Sequence, residues 1–440
     1  MCSLTSDFLS RNVYCVSISC FLYIPRSVKI VPSVATNFIG VTNVDSLTFY
    51  LHTYIHTLPQ HNTHNNTTQA KMNTTNAPHM IEYATKSLDF TPHDTKWIAG
   101  SARIVCCGIS PSSKGAIRIY ELERDGTKDL FSDISFRSQG IKCTTFGASQ
   151  RGEQHFAMGD YAGSLTICDL ERCMNKNDNT TNHEIFSVQA AHEGIVNAID
   201  GIGGDSSSSY GAPELVTGGK DGCVRIWDPR VDHAVVTLNP DKSSSARDCW
   251  SVAFGDSYNN EERSIMAGFD NGDIKLYDLR MNTIRWEDNC KNGVTSIQFD
   301  RRDIEMNKIV VTTLESKFRC YDMRTQHSTD GFAFTSERAH RSTVWISKHL
   351  PQNRDIFMTG GGNGGFNIYK YNYPTNRVGK HQEDGTPIGV AGSVELLNSR
   401  VISTQPITSF DWSPDREGLC CMSSLDQTMR VYIVTKLDKH

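Results

Sequence analysis

The 440-residue chain carries 44 Lys and Arg against 49 Asp and Glu, a net charge of −5. That balance excludes the basic footprint of a protein built for nucleic acid or anionic membranes, and 38% apolar with 21% charged residues is a globular composition. No stretch approaches the roughly 18 consecutive apolar residues that a membrane span requires.

Residues 1–78 read as an N-terminal extension. They begin with an apolar patch, "NVYCVSISCFLYI" (12–24), and run into the biased tract "LHTYIHTLPQHNTHNNTTQAK" (51–71). The patch lacks the flanks of a secretory signal: Arg11 is the only preceding basic residue and no small-residue cleavage site follows promptly. His52, His56, His61 and His64 are candidate metal ligands, but flexible His/Asn/Thr tracts of this kind ordinarily bind nothing specific. The expectation is a disordered extension, or upstream sequence ahead of a start at Met72 or Met80.

From residue 79 to residue 440 one pattern recurs: strand, Asp/Asn/Gly turn, and a second strand ending in an aromatic-acidic or similar pair. The first copy ends in "GAIRIYELE" (115–123) and is followed by "HFAMGDYAGSLTICDLE" (155–171), "ELVTGGKDGCVRIWDPR" (214–230) and "RSIMAGFDNGDIKLYDLR" (263–280). "KIVVTTLESKFRCYDMR" (308–324), "DIFMTGGGNGGFNIYKY" (355–371) and "GLCCMSSLDQTMRVYIV" (418–434) complete the set. Equivalent anchors at Tyr120, Cys168, Trp227, Tyr277, Tyr321, Tyr369 and Tyr432 lie 44 to 63 residues apart. The shorter spacings approach the period of about 40–45 residues of four-stranded WD-type blades; the longer ones hold insertions such as "GGDSSSSYGAP" (203–213). Asp221-Gly222 and Asn271-Gly272 suit tight hairpin turns.

An inner strand precedes each hairpin: 141–147, 195–202, 249–255, 293–300, 342–350 and 406–414, with blade one starting near 94–100. Only "TKLDKH" follows the last hairpin, too little for another strand. The sheet it belongs to therefore needs "HMIEYATKSLDF" (79–90) as its outer strand. The fold expected is an all-β, seven-bladed WD-repeat β-propeller, with the ring closed by an N-terminal strand.

Fourteen cysteines raise the question of a disulfide framework. Many fall inside strand patterns without regular spacing, and Cys106-Cys107 and Cys420-Cys421 are neighbours that point to opposite sheet faces. Reduced thiols and a cytoplasmic location are expected. No nucleophile elbow, P-loop, paired-cysteine zinc signature or HExxH helix is found, so no catalytic residue, cofactor or metal is assigned. The run "GGGNGG" (360–365) sits at a hairpin position with no helix after it, which makes it a turn and not a phosphate cradle.

His192 and His340 precede inner strands, and His192 with Thr217, Asp221 and Trp227 forms a candidate structural brace. The same His and Asp would serve as a general-base pair, but no nucleophile or oxyanion donor accompanies them. Arg230, Arg280 and Arg324 end Trp/Tyr-Asp-x-Arg stretches, which resemble the box by which some WD-repeat proteins dock on the adaptor of cullin-type ubiquitin ligases. A strand-end ion pair is the plainer role. Trp250 and Trp345 share one inner-strand register, where Asn197 and Thr295 stand in other blades. With Arg247 and Asp248 they are candidates for protein binding, or else for inter-blade packing.

Several segments outside the generic repeat are more specific. "VNAIDGIGG" (196–204), "RDCWSVAFG" (247–255), "YNNEERSIMAGFDNGDIKLYDLR" (258–280), "RTQH" (324–327), "VWISKHLPQNRDIFMTGG" (344–361), "GVAGSVELL" (389–397) and "STQPITSFDWSPD" (403–415) resemble the Monad family, WD-repeat axonemal dynein assembly factors. The resemblance runs in order from about 79 to 438. It implies a non-catalytic cytoplasmic scaffold, a monomer within a larger complex, without nucleic acid or membrane as a partner. Implied partners are a co-chaperone complex of tetratricopeptide-repeat adaptors, RuvB-like ATPases and prefoldin-like subunits, with dynein heavy chains as clients. A link to apoptosis is also attached to the family. The ligase reading, a substrate receptor docking through the three arginines, is the alternative. The resemblance carries over no binding residues.

Overall fold

The structure is a computed structural model that describes residues 76–440, apart from residue 151 and segments 175–182, 204–213, 241–246, 257–262, 302–303, 328–329 and 382–386. The N-terminal histidine tract and most of the Ser-rich insertion lie outside the described residues.

Seven four-stranded antiparallel sheets follow one another along the chain. In blades 1 to 5 the strands are consecutive in sequence, as hairpin connections demand. Blade 1 starts slightly earlier than its sequence signal, at Thr91–Ile98. Blade 7 takes its three inner strands from the C-terminus and its outer strand, His79–Ser87, from the N-terminal side. That strand pairs antiparallel with Thr428–Thr435. The ring is thus held shut by strand hydrogen bonds and not by a covalent link.

The core is divided among the joints between blades. Seven clusters of buried apolar side chains occur, each drawing on two adjacent blades. This follows from the alternation of each strand: both faces of a blade lie against a neighbour, so both must be apolar. The anchors Tyr120, Cys168, Trp227, Tyr277, Tyr321, Tyr369 and Tyr432 are all buried. Eleven described cysteines are free thiols, and all but Cys173 are buried.

Two features go beyond the repeat pattern. A five-residue helix, Leu170–Met174, follows the third strand of blade 2. In blade 6 the connection to the outer strand carries an extra two-stranded ribbon, Val378–His381 with Pro387–Gly389. The connection is tied to blade 5 by Arg377, whose Nε donates to Asp322 at 2.7 Å. Beneath it Lys308, its side chain fully buried, contacts Asp300 (3.3 Å), Asp355 (2.9 Å) and the Tyr373 hydroxyl (2.6 Å).

A second set of polar bonds closes the seam. Asp94, on the inner strand of blade 1, accepts Ser409 Oγ of blade 7 at 2.7 Å through Oδ1. Its Oδ2 accepts the Thr144 N–H and hydroxyl of blade 2 at 2.9 and 2.8 Å. Lys96 pairs with the same carboxylate at 2.7 Å. Burial pushes the Asp94 pKa up, but the Lys96 charge and these bonds outweigh it and hold the carboxyl below its ordinary range. One carboxylate stitches three blades.

Candidate functional site

The inner strands place their two ends at opposite mouths of a central channel. Their C-terminal ends, from Lys96 and Thr144 round to Lys348 and Asp411, converge on one cavity of about 400 Å³. Their N-terminal ends meet the hairpin turns. There six blades repeat one bond, in which a turn N–H donates to the carbonyl just ahead of the inner strand. The pairs are Tyr161 to Gly140, Lys220 to Ile195, Asp270 to Asp248, Leu314 to Gly293, Gly362 to Thr343 and Leu425 to Pro406, at 2.8–3.1 Å.

Every inner strand also carries a bulge at the same place. The pairing register skips His93, Lys142, Asn197, Trp250, Thr295, Trp345 and Thr408 in blades 1 to 7. A bulge leaves one residue without a ladder partner and re-aims its side chain. Seven equivalent side chains therefore ring the mouth. The shared register of Asn197, Trp250, Thr295 and Trp345 is this bulge, and extending the same alignment to "PHD" (92–94) and "IKC" (141–143) points to His93 and Lys142.

The two tryptophans differ: Trp345 is the more open to solvent, while Trp250 also packs against Gly293 of blade 5. Trp345 is 39% exposed and Trp250 is half-buried. Leu425 on the blade 7 turn is also 39% exposed, and Leu314 of blade 5 lies between. Arg247 is exposed and Asp248 partly so. Beside them burial pushes the Asp270 carboxyl above its ordinary range, the Asp248 charge adding and Arg247 opposing. Blades 4 to 7 thus present two indoles at the mouth, with leucines and a charged border beside them; tryptophan and arginine are the side chains enriched in interface hot spots.

The brace in blade 3 is complete. Trp227 Nε1 donates to Thr217 Oγ1 at 2.8 Å, Thr217 Oγ1 lies 2.7 Å from His192 Nε2, and His192 Nδ1 lies 2.9 Å from Asp221 Oδ1. Thr217 Oγ1, which accepts the indole N–H, thereby links Trp227 to the His192 ring. Arg225 Nη1 joins the same group, 2.8 Å from Asp221 Oδ2 and 2.7 Å from His192 Nδ1. Burial raises the Asp221 pKa, but His192 and then Arg225 hold the carboxyl well below its usual range; burial pushes His192 down against the pull of Asp221. The turn needs Gly222, whose φ is +73°, and a Cβ there would meet the Arg247 carbonyl at 2.7 Å. In blade 6 His340 keeps only the Thr359 bond, 2.8 Å, with Asn363 at the place of Asp221. Burial then lowers its pKa to about 4, a bond to the Thr359 backbone opposing.

The three arginines differ. Arg230 is 73% exposed yet forms a two-pronged ion pair with Asp228, 2.5–3.0 Å. Arg324 lies 3.2 Å from Glu305. The exposed Arg280 uses its backbone N–H on Asp278 at 3.0 Å. They stand at strand ends in three consecutive blades, not at one spot.

Among the described residues no group of three or more His, Cys, Asp or Glu is arranged to hold a metal ion. No described helix is long and apolar enough to cross a membrane.

Comparison with known proteins agrees with this architecture. A WD domain, G-beta repeat model matches residues 184–228, and a nucleolar protein 10-like N-terminal domain model matches 207–350. The WD40 β-propeller domain of Doa1 superposes with a TM-score of 0.56 at 12% identity, covering 80% of this chain and 96% of that one, which speaks for the fold alone. Dynein axonemal assembly factor 10 of Homo sapiens is 50% identical over 363 residues, 82% of this chain and 98% of the relative. The Chlamydomonas reinhardtii protein of the same name is 48% identical over 370 residues, 84% of this chain and 100% of the relative. The chain, a seven-bladed WD-repeat propeller, belongs to the dynein axonemal assembly factor 10 family.

Proposed function

We propose that the protein is a non-catalytic cytoplasmic adaptor that assists the folding, stability and preassembly of axonemal dynein heavy chains. In this reading it works with a co-chaperone assembly of tetratricopeptide-repeat adaptors, RuvB-like ATPases and prefoldin-like subunits. The observation that carries it is the match, at about half identity, to nearly the whole length of relatives named dynein axonemal assembly factor 10. The exposed indole-and-leucine sector at the bulged mouth supplies a surface suited to a protein partner.

Affinity purification of the tagged chain from ciliated cells tests the reading. RuvB-like ATPases, tetratricopeptide adaptors or dynein heavy chains are expected in the eluate, reduced by Trp250→Ala and Trp345→Ala. Recovery of none of them overturns it. The second reading, a cullin-ligase substrate receptor, is favoured by the exposure of Arg230 and Arg280. It requires that the ligase adaptor co-purify and be lost when Arg230, Arg280 and Arg324 become Ala.

A further inference from the structure

The bulge ring is chemically lopsided. On the blade 2 side stands Lys142, half-buried at the channel wall. Among the described residues nothing makes a hydrogen bond or ion pair with its ammonium; the carboxylate nearest in effect is Asp94, whose oxygens already serve Ser409, Thr144, the Thr95 N–H and Lys96. The next bulge residue, Asn197 of blade 3, has a buried amide nitrogen without an acceptor. The two inner strands touch one residue further along, where Cys143 Sγ lies 3.4 Å from the Val196 carbonyl. The Lys142 ammonium therefore stands at the mouth with nothing to donate to, while the Asn197 amide nitrogen is closed to solvent.

The surroundings do not supply an acceptor. On the blade 1 side the Tyr161 hydroxyl lies 2.9 Å from His93 Nε2, and burial followed by the Lys142 charge lowers the His93 pKa to about 3, so this pair is neutral. Beyond, the blade 3 end carries exposed Lys220 and, across Gly194 from it, exposed Glu193, which makes no side-chain bond to Lys142. Across the mouth the ring turns apolar at Trp250 and Trp345, while Thr295 between them is already bonded to the Val344 carbonyl and to Thr312. Asp248 and Asp270 border Trp250, with the Arg247 charge beside them partly offsetting theirs.

We propose that this mouth receives an extended protein segment bearing an acidic side chain, which lodges its carboxylate against Lys142 and lays its neighbouring apolar side chains over Trp250 and Trp345. Charge complementarity names the acid: the unfilled Lys142 ammonium with Lys220 nearby on one side, and Asp248 and Asp270, with Arg247 beside them, on the other. The acid lies within a chain and not at its end, because exposed ground continues on both sides of the opening, to Lys220 and to Trp345 with Leu425. The inference rests on the adaptor reading and specifies the kind of segment an adaptor would hold.

The test uses the full chain and a phage-displayed pool of random dodecapeptides, followed by fluorescence anisotropy on one selected peptide. Selected sequences are expected to pair Asp or Glu with aliphatic or aromatic residues. Changing that acid to its amide, or Lys142→Met, should weaken binding at least tenfold, while Lys142→Arg stays within about threefold. Trp250→Ala should weaken the acid and amide peptides alike. Thermal melts check that each variant is folded. Enrichment of Lys or Arg, indifference to Lys142→Met, or a pool yielding no binder overturns the proposal. So does binding that depends only on a free C-terminal carboxylate, since the acid would then be a chain end. Co-purification of dynein or co-chaperone subunits is read separately, so loss of the acid preference leaves the adaptor reading standing and absence of those subunits defeats it.

Discussion

The indole of Trp250 leaves no room for a side chain at Gly293. A Cβ there would stand 2.7 Å from Cζ3 of the ring, 2.7 Å from the Asp270 carbonyl oxygen and 3.1 Å from Leu314 Cδ1. The half-buried Trp250 indole of blade 4 is therefore seated on the bare backbone of blade 5. Gly293→Ala should displace the indole and cost about 1–3 kcal/mol through overpacking. Tryptophan emission and a urea midpoint report both effects, and an unchanged emission maximum would remove the claim that this glycine positions Trp250.

The blade 3 brace is more heavily invested than its blade 6 counterpart. Thr217→Val strands both the Trp227 N–H and His192 Nε2 in the interior, a loss of about 2–4 kcal/mol. Thr359→Val breaks the bond to His340 and should cost less, about 1–2 kcal/mol. Denaturant unfolding of the two variants decides the order; equal losses would contradict it.

Asp94 should be among the most sensitive positions in the chain. Asp94→Ala leaves Lys96 without its carboxylate and removes the acceptor shared by Ser409 and Thr144, at a cost of about 3–5 kcal/mol. Because these bonds cross the closing seam, limited proteolysis near the His79–Ser87 strand should accelerate in the variant. Asp94→Asn, which keeps one acceptor oxygen, should lose less.

Acid should destabilise the propeller in two stages. Burial lowers the pKa of His93 to about 3, of His340 to about 4 and of His349 to about 3, from 6.5. Between roughly pH 6.5 and 4 the unfolded chain thus binds more protons than the folded one, so stability is full above that window and falls as pH drops. Each histidine contributes on the order of 1 kcal/mol per pH unit. The carboxyls of Asp94 and Asp221, held below their ordinary 3.8, add stability that is lost only as pH falls further. Urea midpoints from pH 7.5 to 4.5 check the first stage, and His349→Gln should reduce its slope.

Much of the fold was legible because it repeats. A strand of period two, a turn that needs Asp-Gly or Asn-Gly and a buried anchor are local demands, and seven copies make the architecture hard to mistake. The brace from His192 to Trp227 could be read for the same reason, since its members sit at fixed offsets within one blade. The closing strand at His79–Ser87 followed from counting strands.

What sequence left open lies between blades. Lys308 opens a strand and reads as a surface cation, yet it is fully buried because blade 6 brings Asp355 and Tyr373 to it. Asp94 reads as one more polar residue of an inner strand until closure sets Ser409 and Thr144 on its two oxygens. Lys142 and Asn197 are separated by 55 positions in the chain and by a single blade joint in the structure. The sequence by itself determined the blades, because each is built from local periodicity and turns. Only the closed ring decided which polar groups find partners and which face the channel mouth unfilled, because those partners come from different blades and meet only when all seven are in place.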